Sequence, residues 1–110
     1  MSDLLCEKYA GVAKLTLNRP DRKNAMSPEM LIRLADAWQE LERDDAVRVV
    51  ILTGAGRQFF CPGGEMESLV AVLTGERGPA DEWERRFCDD RTELSRIAFL
   101  NPYAFDKPIV

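Results

Sequence analysis

Residues 52–65 read Leu52-Thr53-Gly54-Ala55-Gly56-Arg57-Gln58-Phe59-Phe60-Cys61-Pro62-Gly63-Gly64-Glu65. They start in an apolar run and end on two glycines that precede a helical pattern. Because glycine has no β-carbon, a ligand can approach the peptide groups of Gly63 and Gly64 closely. The first amides of the following helix lack intrahelical partners and lie at its positive end. The stretch therefore predicts a strand, a loop and a helix start that can bind an anion or a carbonyl gaining negative charge.

Two further segments accompany this loop. Upstream lies Leu17-Asn18-Arg19-Pro20-Asp21-Arg22-Lys23-Asn24-Ala25-Met26, and between the two lies Asp45-Ala46-Val47-Arg48-Val49-Val50-Ile51-Leu52-Thr53-Gly54. With three motifs in this order and at this spacing, residues 11–110 resemble the crotonase family, the enoyl-CoA hydratases and isomerases. The resemblance implies an α/β crotonase-like fold. Residues 1–110 would form the N-terminal part of one such domain.

The end of the chain also fits this resemblance. Residues 106–110 look like the start of the strand that leads, in the family, into a second glycine-rich loop. Since crotonase-like subunits are considerably longer than this chain, we expect the domain to be truncated at its C-terminal side. A domain cut in this way would expose a strand edge and apolar helix faces, which favours self-association.

Composition limits the classes of partner. The chain is 45% apolar and 31% charged, as is ordinary for a globular protein. A net charge of −4 disfavours nucleic acid and anionic membranes as partners. The longest apolar run, residues 49–52, is too short to span a bilayer, and the first residues lack the pattern of a signal peptide. We expect a soluble, cytoplasmic protein without nucleic-acid or membrane partners.

Cysteine and histidine usage excludes several kinds of site. The three cysteines, Cys6, Cys61 and Cys88, are widely spaced, so neither a redox pair nor a zinc set is predicted. The chain has no histidine, which excludes histidine-based catalytic triads and histidine metal sites. Rossmann and Walker patterns are not matched either. We expect no metal and no cofactor, because the coenzyme A thioester implied by the resemblance is a substrate.

Hydrophobic periodicity predicts the elements before the glycine loop. Leu4–Tyr9 and Val12–Leu17 are predicted strands of a hairpin. Ser27 and Pro28 are typical of a helix start, and apolar residues follow at helical spacing. These residues are Met30, Leu31, Leu34, Ala35, Trp38 and Leu41. The β-branched run 47–52 predicts a strand buried on both faces and reached by a parallel crossover.

Two helices are predicted after the loop, over residues 65–73 and 80–100. The apolar stripe of the longer one consists of Trp83, Phe87, Leu94, Ile97 and Ala98. Asn101 and Pro102 are predicted to stop this helix. Its carboxylates are predicted to form a solvated face instead of a catalytic pair. They are Glu82, Glu84, Asp89, Asp90 and Glu93.

The resemblance assigns roles to two groups of residues. It makes the Gly64 backbone N–H the first donor of an oxyanion hole, in a substrate-binding loop with Pro62 and Gly63. The second donor would come from the loop after the strand that begins at Lys107. It also places residues 22–25 against the nucleotide end of coenzyme A. This places Arg22 or Lys23 near a phosphate and the Ala25 backbone near adenine.

The residues alone leave simpler interpretations open. Paired glycines often only allow the chain to enter a helix, and Arg19, Arg22 and Lys23 form a basic cluster that could be ordinary solvated charge. Family members commonly carry alanine and aspartate where this chain has Pro62 and Glu65. Glu65 is predicted to cap the helix. Cys61 is predicted to be a small buried apolar side chain.

The leading expectation is enoyl-CoA hydration, in which the loop polarises the thioester carbonyl and stabilises an enolate. The general acid and base would lie outside this chain, so the 110-residue chain alone is expected to be inactive. Double-bond isomerisation or another enolate reaction is the alternative within the family. A non-catalytic fragment that only binds coenzyme A or partner subunits is the alternative outside it. The resemblance implies a homo-oligomer, a trimer or a hexamer.

Overall fold

The computed structural model describes residues 2–100 and 105–110. Within these ranges a three-stranded sheet packs against one long helix, and a second long helix packs against the first. The elements are β1 (Leu4–Tyr9), β2 (Val12–Leu17), α1 (Pro28–Arg43), β3 (Val49–Gly54), a π-helical turn (Met66–Val70) that continues into α2 (Ala71–Leu73), and α3 (Glu82–Ala98). A single 3₁₀ turn covers Pro20–Arg22. Both predicted hairpin strands are confirmed to the residue.

The sheet has the order β1-β2-β3. β1 and β2 are antiparallel, and their turn has positive φ at Ala10 and Gly11, as a tight hairpin requires. β2 and β3 are parallel, with Val12 opposite Val49 and Leu17 opposite Gly54. The connection between them is α1, so the predicted parallel crossover is confirmed.

The last residues extend the sheet beyond β3. The Val50 N–H donates to Pro108 O at 3.0 Å, and the Val110 N–H donates to Val50 O at 2.9 Å. The resulting bridge between Val50 and Ile109 is parallel. The segment after Lys107 therefore pairs with β3 as a parallel strand does, in agreement with the sequence.

Helix α1 begins and ends with defined hydrogen bonds. The Ser27 hydroxyl accepts from the Met30 N–H at 3.0 Å, and Pro28 occupies the first turn. At the other end the Lys107 ammonium donates to Leu41 O and Asp44 O at 2.5 and 2.6 Å. A cation at this end also suits the helix dipole. The end of α1 and the entry to the last strand are thus held by one side chain.

The core lies between the sheet, α1 and α3. All six apolar residues predicted for α1 are buried there. Trp38 is 1% exposed, and its indole N–H donates to Ala98 O at 3.0 Å. From α3 the buried residues include Phe87, Leu94, Ile97 and Ala98, whereas Trp83 is partly buried. In the described ranges no helix combines the length and apolarity needed to cross a membrane.

Two elements, β3 and α3, differ in their bounds from the sequence prediction. β3 begins at Val49 and not at residue 47, because Ala46 and Val47 donate their N–H groups to Asp44 in a turn. The prediction of burial on both faces is wrong, since Ile51 is 37% exposed. α3 is shorter than predicted at both ends, with Asp81 as its N-cap, and the predicted stop at residues 101–102 lies outside the described residues.

Helix α3 also departs from a regular solvated helix. Asp90 has non-helical angles (φ −143°, ψ 35°), so the helix is kinked there. The predicted solvent exposure of Glu84 is wrong, because this residue is buried. Its carboxylate accepts hydrogen bonds from Arg77 at 2.5 and 3.0 Å. It also accepts from the Ala80 N–H at 2.9 Å. The hydrogen bonds from Arg77 are the main cause that lowers the pKa of Glu84.

We predict that Glu84→Gln lowers the melting temperature at neutral pH by roughly 5 °C, since it removes the charge that Arg77 pairs with. Because the folded state lowers the pKa of Glu84, its ionised form adds stability above the ordinary value of 4.5. That stability is lost as the pH falls below 4.5 through the folded pKa. Thermal unfolding followed by circular dichroism should show the difference shrinking in acid. The exposed pair Glu93–Arg96 provides the control, Glu93→Gln, with little effect at either pH.

Candidate functional site

A cavity of about 440 Å³ opens beside the glycine pair. Its walls come from α1, β2, β3, the end of α3 and the loop, and include Leu34, Trp38, Leu52, Ala98 and Gly64. No charged side chain from the described part of the chain lines it. The cavity therefore suits an apolar group, and its polar contacts come from the peptide groups of the loop.

The peptide groups around Gly64 are held by a single neighbouring residue. The Met26 N–H donates to Gly63 O at 2.6 Å, and the Glu65 N–H donates to Met26 O at 2.8 Å. Met26 and Gly64 thus form a parallel bridge. Because backbone groups alternate in direction along an extended segment, the N–H and C=O of Gly64 are directed away from Met26. Among residues 2–100 and 105–110 the Gly64 N–H has no acceptor. An amide donor is therefore available at the cavity wall.

The backbone conformation at position 63 requires a glycine. Its φ is +125°, which side chains other than hydrogen rarely allow, although an added Cβ would meet no atom within 4 Å. Gly64 does not have a positive φ, and an added Cβ would come to 3.0 Å from Cδ2 of Leu69, a movable side-chain end. Gly63 is consequently needed for its backbone conformation, whereas the conformation of Gly64 does not itself demand a glycine.

Asn24 connects the two predicted segments and was not singled out from the sequence. It is fully buried, and its Oδ1 accepts from the Arg19 N–H at 2.9 Å. Its Nδ2 donates to Ala55 O and Phe59 O, both at 2.9 Å. Its φ is +60°, a left-handed value that asparagine tolerates better than most residues. The presence of asparagine in a predicted turn segment is the signal that the sequence carried.

The close approach of these segments depends on Gly54. A Cβ at this position would lie 2.8 Å from Asn24 Nδ2 and 2.8 Å from Phe60 O. The absence of a side chain at the end of β3 therefore lets the loop fold back onto Asn24.

Glu65 occupies the predicted N-cap position of the π-helical turn, but its side chain makes no hydrogen bond to the first backbone N–H groups. Its carboxylate lies 2.6 Å from Arg19 Nη2 and 3.4 Å from Arg22 Nε, and it accepts from Ser68 Oγ at 2.5 Å. Burial by itself raises the pKa of Glu65, but the hydrogen bonds from Ser68 and Arg19 and the two positive charges outweigh it, so the pKa is lowered. The carboxylate is consequently ionised at neutral pH.

The structure divides the predicted basic cluster. Arg19 is directed inward, where its Nη1 donates to Ala25 O at 2.9 Å and its Nη2 meets Glu65. Arg22 approaches the same carboxylate, whereas Lys23 is exposed, with Nζ 5.3 Å from the centre of the Phe59 ring. Glu65 therefore compensates part of the charge that the sequence presented as one cluster.

The remaining predicted residues lie in the same unit. The Ala25 N–H donates to Arg22 O at 3.0 Å, and its carbonyl, which accepts from Arg19, retains a second lone pair. Pro62 is exposed and lines the cavity, as does Cys61, which is only partly buried. The Met26 bridge joins residues 22–25 to residues 62–64, so both predicted groups share one rigid connection. Among the described residues no group of three metal-binding side chains occurs.

We predict that Asn24→Asp destabilises the protein by about 2–4 kcal/mol, because a carboxylate would face two carbonyl oxygens without a proton to donate. The loss should be smaller near pH 4, where protonation of the carboxyl restores one donor. Urea unfolding at both pH values measures the effect. Asn18→Asp serves as the control. It removes one hydrogen bond from the side-chain amide to Ser2 O and should lower the free energy of unfolding much less.

Comparisons with known proteins show the family to which the chain belongs. Residues 7–97 match the family model described as enoyl-CoA hydratase/isomerase, and the chain belongs to this family. Over 75 residues it is 46% identical to the 1,2-epoxyphenylacetyl-CoA isomerase of Escherichia coli strain K12, a match that covers 68% of this chain and 28% of that protein.

Solved structures show the same fold. A Pseudomonas aeruginosa protein matches with a TM-score of 0.75 and 33% identity, over 99% of this chain and 43% of its own. An enoyl-CoA hydratase/carnithine racemase of Magnetospirillum magneticum matches with a TM-score of 0.74 and 29% identity, over 99% of this chain and 38% of its own. The predicted α/β crotonase-like fold is therefore confirmed. The chain spans less than half the length of each of these relatives.

Proposed function

We propose that this protein binds an acyl-CoA thioester and that the Gly64 N–H donates a hydrogen bond to the thioester carbonyl oxygen. The observation that carries the proposal is the position of this amide, which lies at the wall of an apolar cavity and has no acceptor among the described residues. A donor fixed in direction and facing a site of low polarity stabilises a developing negative charge strongly.

The leading reaction is hydration of an enoyl-CoA. Water adds to the β-carbon of the conjugated thioester, and the π electrons move onto the carbonyl oxygen, where the Gly64 N–H stabilises the enolate. The attacking water loses one proton, and the α-carbon gains one as the carbonyl re-forms. The net change is the addition of one water molecule. A geometry that stabilises the enolate more than the neutral carbonyl accelerates this sequence.

Proton transfer in this proposal relies on other groups. No carboxylate of the described residues lines the cavity, and the sequence has no histidine. We propose that the general acid and base, and the second oxyanion donor, come from residues outside this chain. The 110-residue chain alone would then be inactive. Enolate stabilisation by backbone donors needs no cofactor, and a homo-oligomer would be the working form.

A second candidate reaction is isomerisation. The Escherichia coli relative with 46% identity is named as an isomerase of an epoxyphenylacetyl-CoA. Reactions of both kinds can use polarisation of the same thioester carbonyl, and they differ in where protons and bonds move. The apolar lining of the cavity does not favour one of these reactions over the other. The two reactions are distinguished by their products, because hydration adds one water molecule to the substrate and isomerisation adds none.

We predict that Gly64→Pro, in the full-length protein, lowers kcat/KM for an enoyl-CoA by about 100-fold or more, because proline removes the proposed donor. Gly64→Ala is the matched control. It keeps the N–H and requires only a small shift of Leu69, so most activity should remain. Circular dichroism verifies that both variants are folded. Unchanged turnover in the folded proline variant would contradict the role of this amide.

A second test concerns the nucleotide end of the substrate. We predict that the double variant Arg22→Gln, Lys23→Gln binds coenzyme A about fivefold to tenfold more weakly, with most of the effect at Lys23, since Glu65 already compensates Arg22. Calorimetry should show little change for a pantetheine thioester, which lacks the nucleotide, and added salt should shrink the difference. Lys14→Gln, at an exposed position on β2, is the control. Equal losses for both ligands would make these residues ordinary surface charge.

A further inference from the structure

We propose that Arg19 is a positioning residue that holds the Gly64 amide in its productive direction by pairing with Glu65. This role rests on the proposed binding of an acyl-CoA carbonyl at Gly64. The sequence presented Arg19 only as a member of a basic cluster. The structure instead places its side chain inside the site, 15% exposed, against a carboxylate that is 11% exposed.

The contacts of Arg19 lie on both sides of the Met26–Gly64 bridge. Its Nη2 is 2.6 Å from Glu65, the residue after Gly64, and its Nη1 donates to the carbonyl of Ala25, the residue before Met26, at 2.9 Å. One planar guanidinium thus ties together the two segments that pair through this bridge.

Arg19 is itself fixed by the surrounding segment. Its N–H donates to Asn24 Oδ1, and its carbonyl accepts from the Asn24 N–H at 2.8 Å. Because Asn24 is fully buried and also bonded to the loop at Ala55 and Phe59, the base of the Arg19 side chain cannot move far. The guanidinium is therefore a rigid tie and not a flexible surface contact.

The glycine pair makes such a tie necessary. Gly63 and Gly64 have wide conformational freedom, and two backbone hydrogen bonds with Met26 oppose rotation of the peptide between them. Rotation of this peptide would change the direction in which the Gly64 N–H can donate. Without the ion pair, Glu65 can withdraw and the amide samples other directions. Polarisation of the carbonyl would weaken, while the exposed Lys23, which carries most of the proposed contact with the nucleotide end, would be unaffected.

The test uses the carbonyl itself as the probe. Cinnamoyl-CoA labelled with ¹³C at the thioester carbonyl is bound to the full-length protein, and the infrared stretching frequency of that carbonyl is compared with the free ligand. A hydrogen bond from Gly64 lowers this frequency. We expect Arg19→Gln and Glu65→Gln to lose about half or more of the lowering, while the affinity of the Arg19→Gln variant for coenzyme A changes by less than about twofold. Arg19→Lys should resemble Arg19→Gln, because an ammonium cannot reproduce the planar fork.

Arg86→Gln is the matched control, since it breaks an exposed bidentate pair with Asp36, with Nη2 2.9 Å from Oδ1. It should leave the frequency unchanged. If the unaltered protein does not lower the frequency, the proposed function fails. If it does so and folded Arg19 and Glu65 variants do the same, only the positioning role is overturned. Glu65→Gln keeps the test decisive should Arg19→Gln not fold, because it preserves an acceptor for Arg19.

Discussion

Two backbone hydrogen bonds between Met26 and the glycine loop are the constraint on which the site depends. Met26 directly precedes Ser27, which caps α1, so its position is set by the helix. By accepting from Glu65 and donating to Gly63, Met26 transmits that position to the peptide of Gly64. Two backbone hydrogen bonds thereby fix a loop that has little regular structure. The orientation of a backbone donor can then be as reliable as that of a side chain on a helix.

Side-chain contacts from Asn24, Arg19 and Glu65 also hold the glycine loop in place. Asn24 holds the early part of the loop through two carbonyl groups, and Gly54 leaves the space that this contact needs. Arg19 and Glu65 hold its end. Asn24 is buried, the side chains of Arg19 and Glu65 are 15% and 11% exposed, and no buried side-chain nitrogen or oxygen of the described residues lacks a partner. A satisfied network of this kind fixes one arrangement, because every alternative leaves a polar group unpaired.

Sequence patterns predicted β1, β2 and α1 well, because alternation and a Ser-Pro start report on strong local preferences. They failed where tertiary contacts decide. Glu84 is polar like its neighbours on α3, but it is buried and accepts hydrogen bonds from Arg77 in the segment before the helix. The kink at Asp90 has no matching glycine or proline in the sequence. In the site, the motif identified the loop and its glycines. It could not show that, of three neighbouring cations, Arg19 turns inward while Lys23 remains exposed, since that depends on where Glu65 lies.

The contact of Lys107 with the end of α1 has a consequence for the order of folding. The β1–β2 hairpin joins neighbouring residues and can form within about 1–10 μs, whereas Lys107 must find Asp44 across 63 residues of chain. Closing so long a loop is entropically costly until α1 is complete, because the carbonyl groups that Lys107 binds exist in this arrangement only at a finished helix end. We therefore expect the segment after Lys107 to pair with β3 only once α1 has formed.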